Sequence, residues 1–390
     1  MRVAIINSVC GSGSTGKICE GISKMLTENG IVNKIFYFSG NSDYDLASKC
    51  SFKFYVKTQA LKSRLLGTYG FNSVMSTYYL IHQLKKFSPD LIHIHNIHGH
   101  DVNLSILIKW LKKNNMKIVW TLHDCWTFTG YCTYFSMIQC KKWESGCDKC
   151  PQRKKYSWFF DNSERNYNKK KHLLKDGITY VTPSEWLRDI AKKSFLRDAR
   201  IEVVYNGINT QVFHHYEVDA KSDKKVVLGV AFGWSERKGL DTFIELSRRL
   251  DDRFEIFLVG TDDEVEKMIP NTIRTIKKTQ NQEELAKIYS QCDVMVNPTK
   301  EEVFGMVNAE ALACGLPVIT YRTGGAPEAI DDSCGCVVEY GDIDTLTKEI
   351  ERVCIDQPYT KESCISRGQF FDEEKRYLDY LDIYESVFYG

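Results

Sequence analysis

No run of 18 apolar residues occurs anywhere in the 390-residue chain, so no membrane-spanning helix is expected. The first residues, MRVAIINSVCGSG, have no apolar stretch long enough for a signal-peptide core. They read as a first strand and turn, and a cytoplasmic location is expected. Net charge is nearly absent as well, at +1. That balance hides an asymmetry. Residues 1–205 hold 31 Lys and Arg against 16 Asp and Glu, and the remainder holds 21 against 35. A basic half points to an anionic partner, whether a membrane surface, a polyphosphate or nucleic acid, unless these are ordinary solvated faces. The clusters are Lys109/Lys112/Lys113/Lys117, Arg153/Lys154/Lys155 and Lys169/Lys170/Lys171.

What is present is enough to build two cores. Hydrophobic residues make up 43% of a chain long enough for two domains. Residues 294–328 organise the reading. Val294–Val296 reads as a buried strand, Glu301 and Glu302 as a loop, and residues 306–313 as a helix that Gly315 and Pro317 end. A second strand, a Gly324-Gly325 turn and a short helix follow. Strand, loop, helix, repeated, is a doubly wound unit whose loops lie at the carboxyl ends of parallel strands. Glu302 and Glu310 are eight residues apart, about 12 Å if all were helix. That separation excludes a close carboxylate dyad. It suits a grip on two ends of an extended ligand, with the helix N-terminus near Phe304, Gly305, Met306 and Val307 offering N–H groups to a diphosphate.

The string E-x-F-G-x-x-x-x-E-A-x-A-C-G-x-P-V-I, then G-G-x-x-E, resembles the donor-site signature of the retaining glycosyltransferases of family 4, the group 1 glycosyltransferases. The resemblance implies the GT-B fold: α/β, two Rossmann-like doubly wound domains facing across a cleft. The expected limits are an acceptor-side domain at 1–206 with a Cys-rich insert at 125–171, a nucleotide-sugar-binding domain at 207–370, and a helix at 371–390 crossing back to the first domain. Asn206-Gly207-Ile208-Asn209 resembles the family's turn into its second domain, and 214–225 reads as linker.

The resemblance also implies roles. Glu302 holds the sugar hydroxyls and Glu310 the ribose. Lys238, in a Lys-Gly pair, matches the family's phosphate-binding lysine. The family's arginine is absent at Gly233, and Arg237 stands nearby to supply the charge. Gly16 matches the loop that approaches the donor diphosphate. His123, at the end of the strand expected over 117–124, matches a histidine near the transferred sugar. No covalent nucleophile and no catalytic cofactor are implied. The implied partners are a nucleotide-diphosphate sugar and a glycan or lipid-diphosphate-linked acceptor; from the basic first half, peripheral contact with an anionic membrane is expected, and no nucleic acid. Surface polysaccharide biosynthesis is the implied setting.

Three patterns compete with this reading. Gly11 to Lys17 has Walker A spacing, but Ile18 stands where Ser or Thr must hold magnesium, which weighs against a P-loop NTPase. His93, His95, His98 and His100 have metal-like spacing, read here as a polar loop after a strand at 91–95. Cys132, Cys140, Cys147 and Cys150 fit a structural zinc knuckle, with packed reduced thiols or a redox pair as alternatives. Leu61–Leu84 reads as one or two helices. The last helix is expected to present Tyr377, Leu378, Leu381, Tyr384 and Val387 on one face.

Overall fold

RVAII at Arg2–Ile6 is buried after its first residue, and FEIFLV at Phe254–Val259 is buried almost throughout. Short runs that are apolar on both faces belong in parallel sheets covered by helices. The computed structural model has two such sheets. It describes residues 1–217 and 223–390. Part of the linker expected at 214–225 therefore lies outside the described residues. The chain divides into two compact units, residues 1–204 with 376–390, and residues 205–375.

The first unit carries β1 (Arg2–Ile6), β2 (Val32–Tyr37), β3 (Ala47–Lys49), β4 (Leu91–Ile94), β5 (Lys117–Thr121), β6 (Thr179–Thr182) and β7 (Ile201–Val203). Their order is β3-β2-β1-β4-β5-β6-β7, every pair parallel. The order reverses between β1 and β4, a topological switch point. Ile5 faces Ile35 on one side and His93 on the other, so a histidine occupies the centre of the sheet.

The second unit carries β8 (Lys225–Val230), β9 (Phe254–Val259), β10 (Arg274–Ile276), β11 (Val294–Asn297), β12 (Val318–Tyr321) and β13 (Gly335–Val338). Their order is β10-β9-β8-β11-β12-β13, again parallel, with its switch point between β8 and β11. One apolar cluster, with Leu228, Met295 and Leu312, covers one face of this sheet; another, with Val227, Phe243 and Ile319, covers the other.

The limits of two elements and one helix face need correction. The stretch read as one or two helices over 61–84 is two, with wider outer limits, Lys53–Leu66 and Val74–Phe87. Gly67 separates them at φ 63°, where a Cβ would come within 2.8 Å of the Tyr131 hydroxyl and the Phe160 carbonyl. The strand expected over 117–124 ends at Thr121, so His123 and Asp124 lie in the loop beyond it. In the last helix, Glu373–Tyr389, the buried residues are Tyr377, Tyr380, Ile383 and Tyr384, whereas Leu378 is exposed. Tyr377 packs so closely that a Cβ on Gly21 would lie 2.2 Å from its ring.

Candidate active site

The loops after β8 and β11 leave the second sheet at its switch point, where helix N-termini and strand ends leave polar backbone to bind ligands. The first loop ends in a tight turn at Glu236–Lys238, then Gly239 at φ 80°. A Cβ on Gly239 would meet the Pro298 carbonyl at 2.4 Å, so only glycine lets the two loops touch. Arg237 donates to the Glu301 carbonyl at 3.1 Å, and Lys300 N–H donates to the Arg237 carbonyl at 2.9 Å. Lys238 is thereby aimed at Glu302, Nζ to Oε2 at 2.5 Å.

Glu302 is fixed from the other side as well. Its carbonyl accepts from Gly325 N–H at 3.0 Å, and a Cβ on Gly324 would lie 1.8 Å from the same oxygen. The Gly324-Gly325 turn after β12 is therefore a cradle for the Glu302 backbone. Gly305, at φ 82°, then starts the helix Met306–Ala313. Its first N–H groups have no intrahelical acceptor. Asn308 anchors that helix from within: it accepts from Asn297 at 2.8 Å and donates to the Ala326 carbonyl at 3.0 Å, both buried. Sequence reasoning missed Asn297 and Asn308, because a buried amide is not distinguishable from a surface one without the fold. Glu310 accepts from the Tyr289 hydroxyl at 3.2 Å, and burial holds that phenol well above its ordinary pKa.

The structure thus gathers Arg237, Lys238, Glu302, Gly305, Met306 and Val307 around two adjacent loops. One distance needs correction, and one residue divides between core and site. Phe304 is 1% exposed and packs on Tyr205 and Phe371, so its side chain is core; only its backbone can face a ligand. Burying it contributes about 2–3 kcal/mol to the fold. The eight residues from Glu302 to Glu310 are also half loop, so the helical distance of about 12 Å does not apply. A cavity of about 280 Å³ elsewhere in this unit is lined by Cys292, Asp293 and Pro317, which precede β11 and β12 at the opposite strand ends. It is not part of this site.

In the first unit the helix Gly13–Glu28 follows β1. Gly16 sits in its first turn, buried, where a Cβ would press on Val9 and the Gly11 nitrogen at 3.2 Å. Helix geometry pairs its N–H with the Ser12 carbonyl, so the open donors of this turn are residues 13–15 and not Gly16. Asn7 ties the β1 and β4 loops by donating to the Val9 carbonyl at 2.8 Å and accepting from Asn96 N–H at 3.1 Å. Asp101 accepts from Ser8 and Ser39, and burial raises its pKa to about 6.

The histidines separate into two groups. His98 donates to Asp124 at 2.8 Å, and Asp124 also accepts from Trp126 N–H at 2.8 Å. Those contacts hold the Asp124 carboxyl below its usual range against the pull of burial. His93, His95 and His123 form a chain, with His95 Nδ1 2.9 Å from His123 Nε2 and His95 Nε2 3.2 Å from His93 Nδ1. Burial lowers the pKa of His93 to about 3 and of His123 to about 4.

Cys132, Cys140, Cys147 and Cys150 line one small cavity with Phe135 and Trp143. Cys132 and Cys150 approach to 3.9 Å, and Cys147 accepts Gly130 N–H at 3.2 Å. The contact between the first two raises the Cys132 thiol and lowers that of Cys150. Among the described residues no three His, Cys, Asp or Glu side chains surround one point as a bound metal requires. The knuckle read from the spacing therefore has its thiols in one cavity but not drawn into a ligand set. Lys170, read as part of a basic surface cluster, is fully buried. It donates to the Trp126 and Thr129 carbonyls over the Trp126 ring. Among the described residues no helix is long and apolar enough to cross a membrane.

Comparison with known proteins identifies the family. The family model for Glycosyltransferase Family 4 matches residues 22–212, and that for Glycosyl transferases group 1 matches residues 224–356. The chain is 24% identical over 335 residues to the "Putative colanic acid biosynthesis glycosyl transferase WcaC" of Escherichia coli K12, covering 77% of each. Among solved structures, a sucrose-phosphate synthase from Thermosynechococcus elongatus aligns with TM-score 0.73 at 17% identity, over 100% of this chain and 99% of that one. Anabaena HepE, crystallised in complex with UDP-glucose, aligns with TM-score 0.67 at 14% identity, over 99% of this chain and 100% of that one. These two show the same two-domain α/β fold. With both family models matched, one on each half, the chain belongs to the group 1, or family 4, glycosyltransferases and has their GT-B fold.

Proposed function

We propose that the enzyme transfers a sugar, with retention, from a nucleotide-diphosphate sugar to a glycan or lipid-diphosphate-linked acceptor in surface polysaccharide biosynthesis. The observation that carries this reading is the Lys238–Glu302 pair beside the N-terminus of the helix Met306–Ala313. Departure of the leaving diphosphate builds negative charge on its oxygens. Lys238, Arg237 and the N–H groups of Met306 and Val307 are preorganised donors for that charge, the electrostatic form of catalysis. Glu302 turns from Lys238 to the sugar hydroxyls, and Glu310 takes the ribose. The UDP-glucose complex of HepE supports the donor class, and the colanic acid name of WcaC supports the setting.

The basic first unit is the acceptor side in this reading and touches the membrane peripherally. Support comes from Trp158, Phe159 and Phe160, all exposed, beside exposed Lys154 and Lys155. The Trp158 N–H bonds the helix Lys53–Leu66 at the Arg64 carbonyl, and that helix exposes Phe54 and Leu61. Aromatic residues interleaved with lysine suit an anionic leaflet. Nucleotide release against a panel of UDP-, GDP- and ADP-sugars, with lipid-linked acceptors, tests the function. Turnover with one donor class is expected, and release from none would contradict it.

A further inference from the structure

The buried histidines of the first unit end on the last helix of the chain. Tyr384, fully buried on that helix, places its hydroxyl 2.6 Å from His93 Nδ1. His93 Nε2 lies 2.8 Å from the Thr121 hydroxyl, which in turn lies 3.1 Å from the Tyr380 hydroxyl. From His93 the chain continues through His95 to His123, which is partly exposed in the loop after β5.

One boundary condition settles the protons. A buried phenol must donate its hydrogen, because an unmade bond there costs about 1–3 kcal/mol. The hydroxyl of Tyr384 has one partner among the described residues, His93 Nδ1. Burial raises the Tyr384 pKa well above its ordinary value and lowers those of His93, His95 and His123, so the phenol stays protonated and each ring is neutral. A neutral imidazole has one N–H and one bare nitrogen, and the bond made by one nitrogen fixes the other.

His93 Nδ1 accepts from Tyr384, so His93 Nε2 bears the hydrogen and donates to Thr121. His95 Nε2 faces the same His93 Nδ1, whose one lone pair takes the Tyr384 hydrogen at 2.6 Å and is shared by His95 as the longer, second contact at 3.2 Å. Two bare nitrogens at 3.2 Å would repel, so His95 Nε2 bears its hydrogen too. His95 Nδ1 is then bare and accepts from His123 Nε2–H at 2.9 Å. What remains on His123 is a bare Nδ1, with no hydrogen-bond partner among the described residues.

We infer that Tyr384, through His93 and His95, is a positioning residue that locks His123 in the Nε2–H tautomer and presents its Nδ1 as a hydrogen-bond acceptor for a substrate hydroxyl. His123 set this way does not donate to a diphosphate oxygen; it orients an O–H group. The part of this inference that concerns substrate rests on the proposed glycosyl transfer; the tautomer does not. Tyr384 is 291 residues from His93 in sequence. The tail of the chain therefore sets the proton pattern of a loop near its beginning.

The test is ¹⁵N NMR of the full chain with labelled histidine, at pH 7 and without substrate, assigned with His123→Gln. All three rings are expected neutral and protonated at Nε2, with a ¹⁵N–¹⁵N coupling across the hydrogen bond between His123 Nε2 and His95 Nδ1. Tyr384→Phe should release the rings into tautomer mixtures and weaken that coupling. It should also lower kcat more than it raises KM. Nδ1–H at His123 in the wild type would overturn the inference, as would a His123 signal and coupling unchanged in Tyr384→Phe. Should Tyr384→Phe not fold, His95→Phe cuts the chain beside His123, and a single unaltered His123 tautomer there would also overturn it. A locked tautomer in a protein that releases no nucleotide would contradict the proposed function and leave the relay standing.

Discussion

Lys238 and Glu302 are bound to each other, Nζ to Oε2 at 2.5 Å, across two loops that only glycines allow to meet. Their side chains are 21% and 16% exposed, so water reaches little of the pair, and Glu302 Oε1 also accepts from Val303 N–H at 3.2 Å. A donor with a diphosphate at one end and hydroxyls at the other gives both residues a new partner at once. Glu302→Gln keeps the shape and removes the charge. It is expected to lower kcat roughly 100-fold or more, the scale of losing one aligned transition-state contact. Glu310→Ala is expected instead to raise the donor KM about 10-fold, the worth of one charge-assisted bond. Steady-state kinetics separate the two, and wild-type turnover by Glu302→Gln would contradict the roles given.

Acid should destabilise the first unit earlier than its carboxylates alone would. His93, His95 and His123 have folded pKa values below that of an unfolded histidine near 6.5, the first and last at about 3 and about 4. The unfolded chain therefore binds protons that the folded chain refuses. Stability is full above pH 6.5 and falls as pH drops toward the folded values, by up to about 1.4 kcal/mol per pH unit for each ring. Asp101, raised to about 6, and His98, raised against burial by Asp124, act with the opposite sign, their contributions being lost as pH rises, whereas His100, lowered by burial, acts with the three rings. Thermal unfolding between pH 7.5 and 5 should show a falling midpoint on acidification. A flat profile would mean that the rings protonate within the fold.

The cysteine cavity makes a metal prediction. Sulfurs held at about 2.3 Å by one tetrahedral zinc stand about 3.8 Å apart. Cys132 and Cys150 have that spacing, at 3.9 Å, whereas Cys140 and Cys147 line the same cavity without closing a ligand set, so a bound metal must draw them in. Protein purified under reducing conditions is expected to carry about one zinc per chain, and chelation to lower its melting temperature. Protein free of zinc, with melting indifferent to chelator, would leave four packed thiols.

Membrane contact should depend on the exposed aromatic residues as well as on charge. Trp158→Ser with Phe159→Ser and Phe160→Ser, and separately Lys154→Gln with Lys155→Gln, are each expected to reduce co-sedimentation with anionic vesicles. The lysine pair should do so more at low salt, at about 1 kcal/mol per charge near the surface. Binding unaffected by either set, or by lipid charge, would contradict attachment through this patch.

The second unit was legible because its chemistry is local. Lys238 and Gly239 are adjacent, and Glu302, Gly305 and Glu310 fall within one loop and helix. Phe304 was legible only as backbone at a helix start; that its side chain is core shows only in its packing on Tyr205 and Phe371. Gly16 falls one residue past the open donors 13–15, because the loop's glycines do not say where the helix begins. Lys170 sits between two lysines and reads as surface until Trp126 is found beneath it. The histidine chain was not legible at all: His93 and Tyr384 meet only through the packing of the last helix. In the helix itself, Leu378 was read one position off the buried face, since a 3.6-residue period admits both 377–381–384 and 377–380–384.

The most direct measurement is calorimetric titration of the enzyme and of Lys238→Met with UDP, GDP and ADP. The account predicts that one nucleoside diphosphate binds the enzyme, and that Lys238→Met weakens it about 10-fold or more while its melting temperature stays close to wild type. Equal affinity in the two proteins, or no nucleotide bound by either, would contradict a donor site built on Lys238 and Glu302.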